Sequence, residues 1–207
     1  MGNLTQDLNL CIFAINKTYL GMSLLFIIVY SVWLLSEILL NRLVRSKKTD
    51  KQDADKGSIT FIWLTIAVST TAAVLVAMWY ALPVSVNPGI AYIGVGIIIT
   101  GIVLRLLVIL TLGRFFTVDV TIRQDHQLKK NGFYKYLRHP SYFASLLSFV
   151  GFGISLNNWA SLAIVTVCIL IAFIKRIQVE EKALIERFGE EYIDYTKSTK
   201  GLIPFIY

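Results

Sequence analysis

Two stretches of the sequence concentrate side chains able to bind and orient a small polar group. The first runs from His126 to Tyr142 and ends in Arg138-His139-Pro140-Ser141-Tyr142. The second runs from Arg176 to Tyr195 and holds Arg176, Glu180, Glu181, Tyr192 and Tyr195. Arg176 and Glu180 are four apart, so in a helix they share a face. Glu181, Leu184 and Phe188 fall on adjoining stripes, and Gly189 suits the end of that helix. An arginine grips a carboxylate through two parallel N–H bonds. A glutamate accepts hydrogen bonds from hydroxyls or an amino group, and aromatic faces attract a cation. Plainer readings stand beside these. The second stretch can be a solvated amphipathic helix with incidental ion pairs. The first can be an interfacial anchor before a helix with proline in its first turn, with Tyr134, Tyr136 and Tyr142 as belt aromatics. His126 and His139 lie 13 positions apart, and Cys11 and Cys168 stand alone, so no metal site is expected.

The elements that must position these residues are apolar helices. Of 207 residues, 56% are hydrophobic and 16% charged, and the mean hydropathy is +0.65. A soluble domain of this size cannot hide that much apolar surface. Three spans are expected over residues 19–40, 59–82 and 89–112, each long enough to cross a hydrocarbon core of about 30 Å. Two shorter spans, 141–156 and 159–174, are joined by Asn157-Asn158, a polar tip that reads as a tight turn. Both can extend into the flanking segments, which makes them a spanning helical hairpin. The fold class is therefore all-α: a polytopic membrane protein of about five transmembrane helices with a carboxyl-terminal hairpin. Residues 1–207 form one membrane domain, with three spans in 19–112 and a second module in 113–207.

The charges fix the topology. The net charge is +7, and 18 of the 20 Lys and Arg residues fall in three segments, 41–58, 113–140 and 175–207, six in each. With five spans these segments share one side, and the two turns on the other side carry no charge. The positive-inside rule then puts the amino terminus outside and the carboxyl-terminal tail in the cytoplasm. The basic residues flank apolar spans, so the balance reads as topology and not as nucleic-acid binding. Arg105 lies inside the third span. It either snorkels to the interface or lines a pocket. Gly94, Gly96 and Gly101 in that span are packing glycines and not a nucleotide loop, because no strand precedes them.

Read together, the motifs resemble a known family. They are His126-x-Leu128, Gly132-x-Tyr134, Arg138-His139-Pro140-Ser141-Tyr142, Arg176-x-x-x-Glu180-Glu181, Phe188-Gly189-x-x-Tyr192-x-x-Tyr195 and a late Pro204-Phe205. In this order and at these gaps they resemble the isoprenylcysteine carboxyl methyltransferase family and its microbial relatives, over residues from about 113 to the end. The resemblance implies an integral membrane methyltransferase that uses S-adenosylmethionine in a cytoplasm-facing pocket. It implies cofactor contacts from His126, Gln127, Leu128, Lys129, Tyr134, His139, Pro140, Ser141, Tyr142 and Glu180. It places Arg176, together with Glu180, at the methyl-accepting group, most simply a carboxylate of the prenylcysteine type. Lys129 departs from the Val or Ile that the family often carries there.

The residue types suit that chemistry. A carboxylate is already a nucleophile, so the work is positioning and electrostatics. The longest segment outside the spans has 33 residues. A soluble nucleotide-binding domain does not fit in it, since one βαβ unit alone takes about 30. A cofactor therefore sits between helices. Other readings are a methyltransferase of amino-lipids or small thiols, an NADPH-dependent membrane reductase, and a non-enzymatic assembly protein. An amine acceptor is disfavoured beside Arg176, because like charges repel. No basic cluster is dedicated to a 2′-phosphate, and a scaffold leaves the stretch from His126 to Tyr195 unexplained. The partners expected are a lipophilic or lipidated substrate and membrane lipids; the sequence does not give the oligomeric state.

Overall fold

The computed structural model describes residues 24–40, 57–113 and 128–203. The chain divides into two compact units, Met1–Ile38 and Leu39–Tyr207. Helix α1, Leu24–Leu40, lies almost wholly in the first. It is apolar, with the Phe26 and Tyr30 rings stacked one turn apart at 5.8 Å and the Ser36 hydroxyl donating to the Trp33 carbonyl at 2.6 Å. Residues 19–23 of the expected first span lie outside the described residues.

The second unit contains α2 (Ser58–Trp79), α3 (Ile90–Leu112), a 3-10 turn (Gly132–Lys135), α4 (Pro140–Ser155), α5 (Trp159–Phe188) and α6 (Glu190–Ser198). Helices α2, α3 and α5 are long and apolar enough to cross a membrane. Many of their large side chains, among them Leu64, Met78 and Leu110, are exposed, as lipid-facing surface must be. The chain is an integral, multi-pass membrane protein. The helices pack in the order α3, α4, α5, α2, with α6 against α5.

Small residues set the α3–α4 contact. Gly94 and Gly101 of α3 face Ala144, Ser148, Gly151 and Ser155 of α4. A Cβ on Gly94 would sit 2.6 Å from the Gly151 carbonyl oxygen, and one on Gly151 would sit 2.7 Å from the Gly94 oxygen. Both are backbone contacts that cannot yield, so the glycines let two helices approach without a hydrophobic drive between them in lipid. This agrees with their reading as packing glycines. Gly96, by contrast, has nothing within 4 Å of such a Cβ. On the opposite face of α4, Gly153 meets Leu162 of α5. Helix α5 is tied to α2 by the buried Ser161 hydroxyl, which donates to the Ala73 carbonyl at 2.6 Å.

The two uncharged turns meet. Asn157, in the left-handed region at φ 48°, accepts from the Ser85 amide and donates to the Ser85 carbonyl, both at 3.0 Å. Asn158 donates to the Tyr80 carbonyl and caps α5 by accepting from the Ser161 amide. Exposed Trp79, Tyr80 and Trp159 ring this end, the usual place for interfacial aromatics. The α4–α5 hairpin thus turns where the sequence puts it. Its arms are unequal. Pro140 at the first position stops α4 from growing backwards, and the helix keeps 16 residues. Helix α5 continues past its apolar part, which ends at Ile174, for a further stretch rich in charge, and stops at Gly189, φ 54°.

Candidate functional site

The charged extension of α5 meets the start of α4 at the end of the helices opposite the uncharged turns. Gly189 reverses the chain into α6, whose Tyr192 and Tyr195 are buried. Residues 199–201 then run beside 136–139. The Arg138 amide donates to the Lys200 carbonyl at 2.8 Å, the His139 amide to the Gly201 carbonyl at 3.0 Å, and the Lys200 amide to the Tyr136 carbonyl at 3.1 Å. This parallel pairing holds the backbone of Arg138-His139 before Pro140 starts α4.

Two adjacent bases therefore face two adjacent acids. The Arg138 guanidinium donates to Glu181 Oε1 at 2.7 Å and to the Thr199 carbonyl at 2.7 Å. His139 Nδ1 lies 3.4 Å from Glu180 Oε2, and its Nε2 lies 3.2 Å from Glu181 Oε1. Arg176 is 1% exposed; its Nε donates to Glu180 Oε1 at 3.2 Å and to the Tyr142 hydroxyl at 3.4 Å. Tyr142 donates to Glu180, and Arg176 Nη1 donates to the Ser58 hydroxyl at the start of α2. The Phe173 ring, one turn before Arg176, lies 5.1 Å from the Tyr142 ring and closes the apolar side.

The electrostatics follow from this wiring. Burial favours neutral His139, but hydrogen bonds to Glu180 and Glu181 outweigh it and raise its pKa above the ordinary histidine value. Burial likewise opposes charge on Glu181, yet hydrogen bonds from His139 and Arg138 bring it down to about 2. Glu180 is lowered in the same way, by His139 and Arg176 against burial. The cluster is a network of basic and acidic groups that stabilise each other's charged forms against burial. Around it, burial pushes the Tyr195 phenol up to about 12, so it stays a donor, to the Tyr134 carbonyl at 2.5 Å.

Of the residues singled out in the sequence, the fold brings Arg176, Glu180, Tyr142 and His139 into one bonded cluster. Tyr134 is buried beneath α6, and Pro140 is buried at the start of α4. Ser141 contributes its carbonyl to Arg105 Nη1 at 3.3 Å. Leu128 and Lys129 are half-buried at the start of their segment. His126, Gln127, Pro204 and Phe205 lie outside the described residues. Arg105 does not reach along α3 for the interface. It crosses to α4 and also bonds the Ser145 hydroxyl, so it holds the first two turns of α4. Glu181 and Arg138 belong to the cluster, although the resemblance implies site roles only for their neighbours; the signal is Arg-His opposite Glu-Glu. Ser58 has no sequence signal at all.

Residues 94–186 match the isoprenylcysteine carboxyl methyltransferase (ICMT) family. Over that stretch the chain is similar to this family. The ICMT match begins in α3 at Gly94 and ends near the close of α5, so it encloses every cluster residue except Ser58. A probable protein-S-isoprenylcysteine O-methyltransferase of Oryza sativa subsp. indica is 36% identical over 119 residues, covering 56% of this chain and 62% of that protein. The protein-S-isoprenylcysteine O-methyltransferase of Saccharomyces cerevisiae is 38% identical over 116 residues, 55% of this chain and 48% of that protein. The chain thus spans less than two thirds of the length of these relatives. The solved structure of the eukaryotic intramembrane Ras methyltransferase ICMT superposes with a TM-score of 0.65 at 30% identity, covering 86% of this chain and 64% of that one. The shared ICMT fold thus extends well beyond the stretch matched in sequence.

Proposed function

We propose that this chain is an integral membrane methyltransferase that uses S-adenosylmethionine and acts on the carboxyl group of a lipophilic acceptor of the prenylcysteine type. The observation that carries this reading is the buried Arg176 guanidinium, bonded to Glu180 at the polar end of apolar helices. The methyltransferase relatives support it. So does the charge pattern, which puts the amino terminus outside and the cluster in the cytoplasm. The chain acts as one membrane domain, with three spans in 19–112 and the catalytic module in 113–207.

The residues fit the cofactor. The Glu180 carboxylate offers acceptors for hydroxyl and amino groups, and the Tyr142 and Phe173 rings offer aromatic faces for a cation. The set that would hold it is His126, Gln127, Leu128, Lys129, Tyr134, His139, Pro140, Ser141, Tyr142 and Glu180. Bound S-adenosylmethionine would supply an electrophilic methyl group. The rest is the chain's work. Arg176 holds the acceptor carboxylate, which is itself the nucleophile, so no side chain has to take a proton. Glu180 keeps Arg176 in place and would accept hydrogen bonds from the bound cofactor. Methylation removes the acceptor's charge, and the ester no longer engages the arginine fork, which favours release.

Calorimetry of S-adenosylhomocysteine binding to the detergent-solubilised protein tests the cofactor site. Binding is expected, with a loss of at least about tenfold in Glu180→Ala. No binding, and no effect of the substitution, would sink the reading. Labelled donor with N-acetyl-S-farnesylcysteine and an amino-lipid side by side tests the acceptor. Methyl transfer to the amino-lipid alone would mean that Arg176 does not hold an acceptor carboxylate.

A further inference from the structure

The Arg176 guanidinium is bonded from more than one helix, with Tyr142 of α4 also accepting from its Nε. Its Nε is held by Glu180 within α5, and its Nη1 by the Ser58 hydroxyl of α2, 118 residues away in the sequence. Helix α2 begins at Ser58, right after Gly57, whose φ of 81° turns the chain into the helix. The next residue of that turn to face α5 is Phe61, and the Lys175 ammonium stands 4.9 Å from its ring centroid. Two successive basic side chains of α5 are thus engaged by one turn of α2. A guanidinium is planar, and bonds at Nε alone hold one edge and leave the Nη end to be placed by a partner on its own side. Two anchors on different helices fix its plane, and a planar fork binds a carboxylate only when its plane is aligned.

We infer that Ser58 is a positioning residue for the acceptor: its hydroxyl sets the plane of Arg176, which makes the start of α2 part of the acceptor end of the site. The inference rests on Arg176 holding the acceptor carboxylate. It extends the functional chain outside residues 94–186, into a part of the sequence with no motif. It also separates the two ends of the cluster. Glu180 faces both His139 and Arg176, whereas Ser58 touches the arginine from the far side, so its loss falls on acceptor binding and spares the cofactor.

The test uses full-length protein in detergent, with N-acetyl-S-farnesylcysteine as acceptor. Steady-state kinetics, S-adenosylhomocysteine affinity and thermal midpoint are measured for Ser58→Ala, Ser58→Thr, Ser58→Asp and Arg176→Lys. Removing a hydrogen bond to a charged group predicts a rise of about tenfold in acceptor KM for Ser58→Ala, with cofactor affinity within about twofold of the parent and recovery in Ser58→Thr. Ser58→Asp places a carboxylate in the first turn of α2, where it suits the helix and cannot lower stability by much. It also occupies the arginine, so acceptor KM rises while the thermal midpoint holds or climbs. A purely structural hydroxyl predicts the reverse, with the thermal midpoint falling in Ser58→Ala and acceptor KM unmoved in Ser58→Asp, and that result overturns the inference. If Arg176→Lys alone raises acceptor KM, Ser58 is not the positioning residue although the reading of the site stands. If Arg176→Lys also leaves it unchanged, the reading of the site fails as well.

Discussion

His139 stands between two carboxylates, with Nδ1 3.4 Å from Glu180 and Nε2 3.2 Å from Glu181. Both ring nitrogens donate only in the imidazolium form, so the geometry selects the charged ring. The pKa of His139 is raised above 6.5, so its contribution to stability is full below pH 6.5 and is lost as pH climbs through the raised value. Glu181 is lowered from 4.5 to about 2, so its contribution is full above pH 4.5 and is lost as pH falls toward about 2. The thermal midpoint of the solubilised protein should therefore be highest between these limits and fall on both flanks. In His139→Gln the alkaline fall should flatten; an unchanged profile would remove His139 from the network.

Arg138 closes the same network from outside. Its side chain joins Glu181 to the Thr196 and Thr199 carbonyls that end α6. Arg138→Ala leaves Glu181 and two carbonyls short of a donor, at a cost on the order of 2–3 kcal/mol. Arg138→Lys keeps the charge but spans fewer partners and should recover about half of the loss. Denaturant or thermal unfolding in detergent measures both.

Packing of α3 on α4 gives a sharper contrast within one helix. Gly94→Ala drives a Cβ into backbone of α4 and should cost about 1–3 kcal/mol. Gly96→Ala, two residues along, meets open space and should be neutral or slightly stabilising, because alanine is the better helix former. Equal effects at the two positions would mean that the close approach of the helices is wrong.

The clasp at the uncharged end depends on Asn157 in two ways. Its side chain exchanges two hydrogen bonds with Ser85, and its backbone is left-handed. Asn157→Gly keeps the backbone and loses the bonds; Asn157→Ala loses both. Alanine should be the more damaging by about 1 kcal/mol. The order of thermal midpoints checks it.

Much of this structure is readable from residue types. Apolar runs bounded by Asn157-Asn158 and Gly89 mark α2, α3, α4 and the start of α5 with boundaries close to those found, because a helix satisfies the backbone within lipid. The extension of α5 through Arg176 to Phe188 follows from the i, i+4 spacing of Arg176 and Glu180. The unequal hairpin is harder, since only Pro140 marks where α4 must start. Long-range wiring is out of reach. Nothing in the sequence pairs Ser58 with Arg176, or residues 199–201 with 136–139, since hydrogen bonds between distant backbones leave no periodic trace. Arg105 is ambiguous for the same reason: its partner, Ser145, is an ordinary small residue of α4.

The pairing of residues 199–201 with 136–139 has a consequence for biosynthesis. Helices α2 to α5 can enter the bilayer one after another as they are made. The amides of Arg138 and His139 nevertheless wait for carbonyls at Lys200 and Gly201, which are translated some sixty residues later. Insertion and maturation are therefore separate events in time. A newly inserted chain can hold its helices before the Arg138-His139 backbone finds its partners at the membrane surface.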